Sequence, residues 1–382
     1  FILSVIGRTL GIQEMTFGAF IKFNYLLVIA LGVATSVLLF LAFKSLLVSN
    51  AFYYLYLRMV SIYIYNGEID HHWMLGVYIP FYLAFLIFYS RVRTNFKSYW
   101  FGFYFLVAGI ANIVREGDGV VGLLIFFSLL TIIIIQEGFK KFIPNPILTP
   151  SFPYLNSTVF LIAFLIVMYL LPTLLLNQVR NSRNLTYFEG KSSNMITHHG
   201  IWHSAFMGLG YLPNKYGIKW ADNNPIKFVH QINPDIKYLT NEYYDILRAL
   251  YFKYSLESPD LWFGNLLAKL KETYILSATV SSQITKNFLP NTFSNFLPYF
   301  LLASIFLLSY KNKVSTTIFW TIFSSLIITS IPGLITVPSY FYTAGFQAAL
   351  LTAWFYLFII SYLKLKKFFG SKWTKYPLIR FI

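Results

Sequence analysis

Long apolar runs alternate with short basic segments along most of the chain. A helix that crosses a hydrocarbon core of about 30 Å needs roughly 17 to 25 predominantly apolar residues. Eight runs reach or approach this length, at residues 24–43, 73–90, 99–114, 119–136, 157–177, 292–310, 314–336 and 340–363. The pattern therefore predicts an all-α protein, a polytopic transmembrane helix bundle of about eight spans.

Two further stretches are ambiguous, and either would reverse the orientation of everything after it if it crossed the membrane. Residues 51–66 are aromatic but carry Arg58 at the centre, where a charge in lipid is costly. We therefore expect a helix that lies in the membrane interface. Residues 273–291 include Ser281, Ser282 and Lys286. This composition favours the extension of a helix outside the bilayer.

The one long polar segment divides the chain into three predicted domains. Residues 1–177 form an N-terminal membrane domain of five spans, 178–291 an external and mostly helical loop domain, and 292–382 a C-terminal membrane domain of three spans with a basic tail. Inside the loop domain, Thr240 is placed to cap one helix, and Ser258-Pro259-Asp260 is typical of the start of another.

An apolar face is expected on the second of these helices. Its apolar residues recur at helical spacing and are Leu261, Trp262, Leu266, Leu267 and Leu270. The spacing predicts that this face packs on the membrane domain.

Composition excludes a water-soluble globule and also several kinds of site. The chain is 57% hydrophobic and 12% charged, whereas about 25% charged residues is usual in soluble domains. Its mean hydropathy is +0.60. The 382 residues include no cysteine, which rules out disulfides, thiolate metal sites and a cysteine nucleophile.

The net charge of +16 is explained by orientation in a membrane. With both termini in the cytoplasm, the cytoplasmic segments contain half of the 30 Lys and Arg residues but only Glu14 and Glu137 among the 14 Asp and Glu residues. This is the asymmetry of the positive-inside rule. We therefore expect membrane lipid, and no nucleic acid, as a partner. All 6 histidines fall on the external side, and so would any chemistry.

The first external loop carries the first candidate site. Glu68, Asp70, His71 and His72 directly precede the second predicted span. Two carboxylates beside two imidazoles can supply a general base or metal ligands. The alternative is a solvated loop whose charges keep the helix from sliding into lipid.

A second candidate lies between the third and fourth spans, where Arg115 and Glu116 must sit near the outer surface. The planar guanidinium of Arg115 could bind a phosphate or pyrophosphate. A simple turn with a local Arg–Glu pair is the alternative.

The third candidate contains His198, His199 and His203. His199 and His203 have the spacing of two zinc ligands on a helix, but the glutamate of a zinc peptidase is absent. The glycines that follow suggest a compact loop in which the backbone approaches a ligand closely. A loop required only for packing remains the alternative.

The chain resembles the GT-C class of integral-membrane glycosyltransferases, which use polyprenyl-phosphate-linked sugars. The resemblance rests on the cytoplasmic N-terminus, on the acidic motif of the first external loop after an interfacial aromatic helix, and on the external location of the candidate residues. One stretch also resembles loops of bacterial inner-membrane proteins associated with surface polysaccharide. Its motifs are Trp202-His203-Ser204, Gly208-Leu209-Gly210, Asn214-Lys215-Tyr216-Gly217 and Asp222.

The resemblance implies transfer of a sugar from a lipid carrier to an acceptor on the external face. The catalytic base would be Asp70, or else Glu68, and a histidine of the 198–203 group would stabilise the leaving phosphate with Arg115. The residues implied in substrate binding are Arg115, Glu116, His71, His72, His198, His199 and His203. The sequence identifies no cofactor, but a divalent metal such as Mg or Mn could bridge carboxylate and phosphate.

A function of another class stays open, because the chain could be a non-catalytic structural or assembly subunit of a larger membrane complex. The location expected for the glycosyltransferase is the bacterial inner membrane, with the large loop external or periplasmic. An organelle inner membrane is the alternative location.

Overall fold

The structure is a computed structural model that describes residues 17–65, 74–92, 99–114, 117–138, 162–175, 177–178, 201–285, 313–336, 338 and 343–373. Within these ranges the chain is all-helical, as predicted, and contains no strand. The helices are α1 (Phe17–Phe43), α2 (Leu46–Tyr65), α3 (Met74–Val92), α4 (Tyr99–Val114), α5 (Asp118–Gly138), α6 (Ile201–Gly208), α7 (Asn223–Ile232), α8 (Asn241–Glu257), α9 (Pro259–Thr285), α10 (Lys313–Ile335) and α11 (Ala344–Trp373). A further helical segment covers Ile162–Leu175.

The chain divides into two compact units. Unit 1 consists of Phe1–Ser182, Ala278–Thr329 and Ala344–Ile382. Unit 2 consists of Arg183–Ser277 and Ser330–Thr343. The predicted span at 292–310 lies outside the described residues.

In unit 1, α1 and α2 form an antiparallel hairpin. Lys44 makes the turn with a φ of 53°. Close to the turn, the Ser49 hydroxyl donates to the Ser36 carbonyl at 2.8 Å, and about two helical turns further on the Tyr56 hydroxyl donates to the Val28 carbonyl at 2.9 Å. The described part of the stretch 51–66 belongs to the longer helix α2, which packs along α1, and its location in the membrane interface stays a prediction.

Aromatic side chains fill the core of unit 1. All residues of α3 from Met74 to Phe88 are buried. The Tyr104 ring of α4 lies with its centroid 5.1 Å from that of Tyr82 and 5.0 Å from that of Phe85. The Tyr104 hydroxyl donates to the carbonyl of Gly122 at 2.7 Å, which ties α4 to α5.

The surface of unit 1 is apolar while several buried positions are polar. On α1, Asn24 and Thr35 are buried, whereas Leu26, Ile29 and Val33 are exposed.

On α10, the buried positions include several hydroxyl residues beside Ile322 and Leu326, and large apolar side chains are exposed. Thr321, Ser325 and Thr329 are buried, and the last two donate to carbonyls one turn earlier at 2.6 Å. The exposed residues include Trp320 and Phe323. Soluble proteins usually place these residue types the other way round.

By length and composition, Asn24–Phe43 is the one helix in the described ranges that could cross a membrane. Core helices of soluble proteins and signal sequences satisfy the same criteria. The other described apolar helices are shorter, at Leu46–Ile62, Met74–Tyr89, Tyr99–Val114, Asp118–Ile132, Ile162–Leu175, Trp320–Ile335 and Ala344–Leu357.

Unit 2 has its own hydrophobic core, built mainly from α6, α7 and α8. Its buried members are Phe206, Leu209, Ile218, Val229, Ile236, Tyr243, Leu247 and Leu250. Thr240 caps α8, with its hydroxyl oxygen accepting from the backbone N–H of Tyr243 at 3.3 Å. The second predicted start is also confirmed, because α9 begins at Pro259.

The prediction of a buried apolar face on α9 was wrong at Leu267 and Leu270, which are exposed, whereas Trp262 of the same predicted face packs against the core of unit 2. Among the side chains of this helix that the structure describes, the buried ones are Asn265, Lys269 and Thr273. These three polar residues are spaced by one helical turn each, so they form a stripe of their own. Hydrogen bonds from this stripe, described below, explain why polar side chains occupy the inner face.

Candidate functional site

Only one of the predicted site residues, His203, lies in the part of the chain that the structure describes. The residues outside the described ranges are Glu68, Asp70, His71, His72, Arg115, Glu116, His198 and His199. The first two candidate sites therefore stay predictions, and the geometry available concerns the third.

His203 lies on α6 at the centre of a polar cluster in unit 2. It is 1% exposed. Its Nδ1 atom is 2.7 Å from the Tyr243 hydroxyl on α8. On the other side of the ring, Nε2 is 3.7 Å from a carboxylate oxygen of Asp222, whose side chain is 83% exposed. The buried His203 thus lies between the buried phenol of Tyr243 and the solvent-exposed carboxylate of Asp222. Because His203 itself is buried, Asp222 is the member of this cluster that a substrate would contact.

The loop between α6 and α7 brings Asp222 to His203. Asn214 organises this loop, because its side-chain oxygen accepts from the N–H groups of Tyr216 at 3.2 Å and Ile218 at 3.1 Å. Its amide also donates to the Leu212 carbonyl at 3.1 Å and to the Ile218 carbonyl at 2.8 Å. The motif residue Asn214 therefore closes the turn that precedes Asp222.

Two glycines allow this loop to form. Gly217 has a φ of +70°, which favours glycine. At Gly210 a Cβ atom would lie 2.6 Å from the Cα of Lys219, so two backbone segments approach each other here without room for a side chain.

Tyrosine rings surround the imidazole of His203. Its ring stacks on Tyr243 with centroids 6.0 Å apart and meets the edge of Tyr238 at 5.8 Å. Burial raises the pKa of Tyr243, as it does that of Tyr238, where the nearby Asp222 carboxylate adds to the effect. Both phenols therefore keep their protons at neutral pH. The tautomer of His203 that suits its two neighbours accepts at Nδ1 from Tyr243 and carries its proton on Nε2, toward Asp222.

Lys269 of α9 occupies a second buried polar position in unit 2. The side chain is 3% exposed. Its ammonium group donates to the carbonyls of Leu334 at 3.2 Å and Ile335 at 3.5 Å, at the C-terminal end of α10. A cation is favourable there because the last carbonyls of a helix lack intrahelical partners. Burial nevertheless lowers the pKa of Lys269 to about 8.

Asn265, one turn before Lys269, ties α9 to the site loop. Its side-chain oxygen accepts from the N–H of Leu212 at 2.9 Å, and its amide donates to the Leu209 carbonyl at 3.0 Å. The polar stripe of α9 therefore supports the loop that positions Asp222.

In unit 1, Asp118 is a buried carboxylate at the start of α5. The N–H of the preceding Gly117 donates to the side-chain oxygen of Asn112 at 3.1 Å. Asp118 belongs to the same short loop as Arg115 and Glu116, which the structure does not describe.

Sequence reasoning missed Tyr243 and Lys269. Tyr243 stands three residues after the predicted cap Thr240, but the sequence does not show that α8 packs on α6. The signal for Lys269 was present, because Asn265, Lys269 and Thr273 are spaced four residues apart and share one helical face. Among the described residues, no group of three or more His, Cys, Asp or Glu side chains could hold a metal ion.

Replacing Tyr243 with phenylalanine is expected to destabilise unit 2 by about 1 to 3 kcal/mol, because Nδ1 of the buried His203 loses its partner. Thermal unfolding of the full-length protein in detergent measures the loss. In the double variant Tyr243→Phe/His203→Phe both polar partners are gone, so we expect part of the stability to return. Strictly additive losses would show that the two side chains are not coupled.

Comparison with known proteins finds no matching family model, no matching curated protein and no matching solved structure.

Proposed function

We propose that unit 1 is embedded in a membrane as a bundle of helices, formed by spans expected from the sequence together with α2. The support is its inverted surface, with apolar residues such as Leu26 and Val33 outside and Thr35 inside. In this proposal α2 crosses the membrane beside α1, because the two helices pack along each other. The N-terminus then lies outside, contrary to the cytoplasmic side expected for it from the charge pattern, whereas every loop after α2 keeps its expected side.

We further propose that the chain is a glycosyltransferase that moves a sugar from a polyprenyl-phosphate-type carrier to an acceptor on the external face of a bacterial inner membrane. The observation that carries this proposal is the Asp222 carboxylate, which is exposed to solvent and lies 3.7 Å from the buried His203. Carboxylates accept hydrogen bonds from sugar hydroxyls. The loop motifs behind the resemblance to surface-polysaccharide proteins are the residues that hold Asp222 in place.

In this proposal the residues have distinct roles. Asp70, or Glu68, removes the proton from the acceptor hydroxyl, and Arg115 stabilises the leaving phosphate. Asp222 binds the sugar, while His203 and Tyr243 act as positioning residues because they are buried. A divalent metal would act at the phosphate together with carboxylates of the first external loop.

A second candidate function is that of a non-catalytic subunit in a larger membrane complex. This candidate is favoured because three of the motif residues make contacts inside unit 2, namely Asn214, Gly210 and His203. In this case Asp222 would contact a partner protein.

Transfer from a lipid-linked sugar by the purified protein tests the proposal. The wild-type protein should transfer the sugar, and Asp70→Asn or Glu68→Gln should abolish transfer while leaving the fold intact. Asp235→Asn, which changes an exposed carboxylate of unit 2, is the matched control and should keep full activity. Full activity in both first-loop variants would overturn the assigned base. An inactive wild-type protein that is retained in stoichiometric amounts in a complex would favour the second candidate.

A further inference from the structure

The exposed face of α9 is apolar although its buried face is polar. Phe263, Leu267 and Leu270 follow one another at spacings of four and three residues, so they form a stripe along the helix. Their exposed fractions are 58%, 65% and 49%. We call these three residues the α9 stripe.

The fold of unit 2 leaves these side chains exposed, and in water this exposure costs free energy. Burial of a leucine or phenylalanine side chain stabilises by roughly 1.5 to 3 kcal/mol. Meanwhile α9 buries Asn265 and Lys269, whose polar groups would be well solvated on the surface. Contiguous exposed apolar residues of this kind mark interaction sites for proteins or membranes.

The same inversion occurs in unit 1, where hydroxyl residues of α10 are buried and Trp320 and Phe323 are exposed. Charge along α9 also distinguishes among possible occupants. Lys271 follows Leu270 directly and is followed by Glu272, and Asp260 lies in the first turn of the helix. From Thr273 to Thr285 the helix has no charged residue. An exposed apolar stripe that leads into a charge-free helical segment fits the boundary between the acyl chains and the headgroups of a bilayer.

We propose that the α9 stripe lies in a lipid bilayer and anchors unit 2 to the membrane surface. The stripe enters the acyl boundary, and Lys271, which directly follows Leu270, lies at the level of the headgroup phosphates. The inference rests on the proposed membrane location of the chain, and not on the identity of the reaction.

The absence of cysteine in the chain makes a direct test practical. Single variants Leu267→Cys and Leu270→Cys of the full-length protein would be spin-labelled after reconstitution into vesicles of phosphatidylethanolamine and phosphatidylglycerol. Collision of the label with oxygen reports contact with lipid, and collision with a water-soluble nickel chelate reports contact with water. Ala249→Cys is the matched control, because Ala249 is exposed on α8 but is flanked by Arg248 and lies outside the stripe.

We expect the labels at Leu267 and Leu270 to collide several-fold more with oxygen than with the nickel chelate, and the label at Ala249 to show the reverse. A mobile, water-accessible label at Leu267 would overturn the proposal, as would an immobilised label that neither reagent reaches, which indicates packing against protein. A third variant, Val33→Cys on α1, distinguishes a failure of the anchor proposal from a failure of the proposed membrane location. Lipid contact at Val33 without lipid contact at Leu267 contradicts the anchor alone, whereas water contact at both positions contradicts the membrane location.

Discussion

Gly210→Ala is expected to destabilise unit 2 by about 3 kcal/mol, the upper end of the usual cost of overpacking. A Cβ at this position would lie within 2.6 to 2.7 Å of the N, Cα and C atoms of Lys219. Because these are backbone atoms, no rotamer change relieves the clash. The chain at Lys219 must move, although its N–H donates to the side-chain oxygen of Asn224 at 3.0 Å. This shift would also displace Asp222, three residues later.

Hydrogen exchange of the α8 amides in the full-length protein measures this effect, because α8 contributes Tyr243 and Leu247 to the core of unit 2. Gly264→Ala is the matched control. Only a Leu212 methyl group, at 3.7 Å, would meet its Cβ. Alanine is a better helix former than glycine by roughly 0.5 to 1 kcal/mol. The control should therefore stabilise unit 2, and unchanged protection in Gly210→Ala would contradict the close approach seen at this glycine.

The sequence predicted the starts of α8 and α9, because these starts depend on local chemistry, but it predicted neither α6 nor α7. Thr240 caps α8 through a bond to a backbone group three residues away, and Pro259 opens α9, so both signals lie within a few residues of the feature they predict. The α1 and α2 hairpin was not predicted. Its bonds join Ser49 to Ser36 and Tyr56 to Val28, and periodicity says nothing about which helices pair.

The buried face of α9 could not be inferred from its apolar residues. Helical spacing indicates that Leu267 and Leu270 share a face, but it does not say whether protein or lipid covers that face. The polar residues carried the better signal, because Asn265 and Lys269 could be satisfied only by backbone groups of Leu209, Leu212, Leu334 and Ile335, which are distant in sequence.

The geometry of the candidate site could likewise not be inferred from the sequence. The sequence singled out His203 and Asp222 because they belong to one short run of motifs. Their geometry depends on Tyr243, which is 40 residues from His203 in the chain. A contact at such a separation follows from the packing of α6 on α8, so a single sequence could not predict it.

The stability of unit 2 should rise between pH 8 and pH 10 through Lys269. Burial lowers the pKa of Lys269 from 10.5 to about 8 in the folded protein. Between these values the unfolded chain binds more protons than the folded chain, so the free energy of unfolding increases with pH. Below pH 8 both states are protonated, and above pH 10.5 both are neutral. One pKa unit corresponds to about 1.4 kcal/mol, so the gain from pH 7 to pH 10 is about 2 to 3 kcal/mol.

The difference between the wild-type protein and Lys269→Met isolates this effect, because the other titrating groups act on both proteins equally. In thermal unfolding in detergent from pH 7 to pH 10, the stability of the wild-type protein relative to the variant should increase as the pH rises. Lys271→Met removes an exposed lysine from the same helix and should leave the pH dependence unchanged. A constant difference between wild type and Lys269→Met at every pH would mean that Lys269 keeps an ordinary pKa. In that case the carbonyls of Leu334 and Ile335 would compensate fully for the burial of the ammonium group.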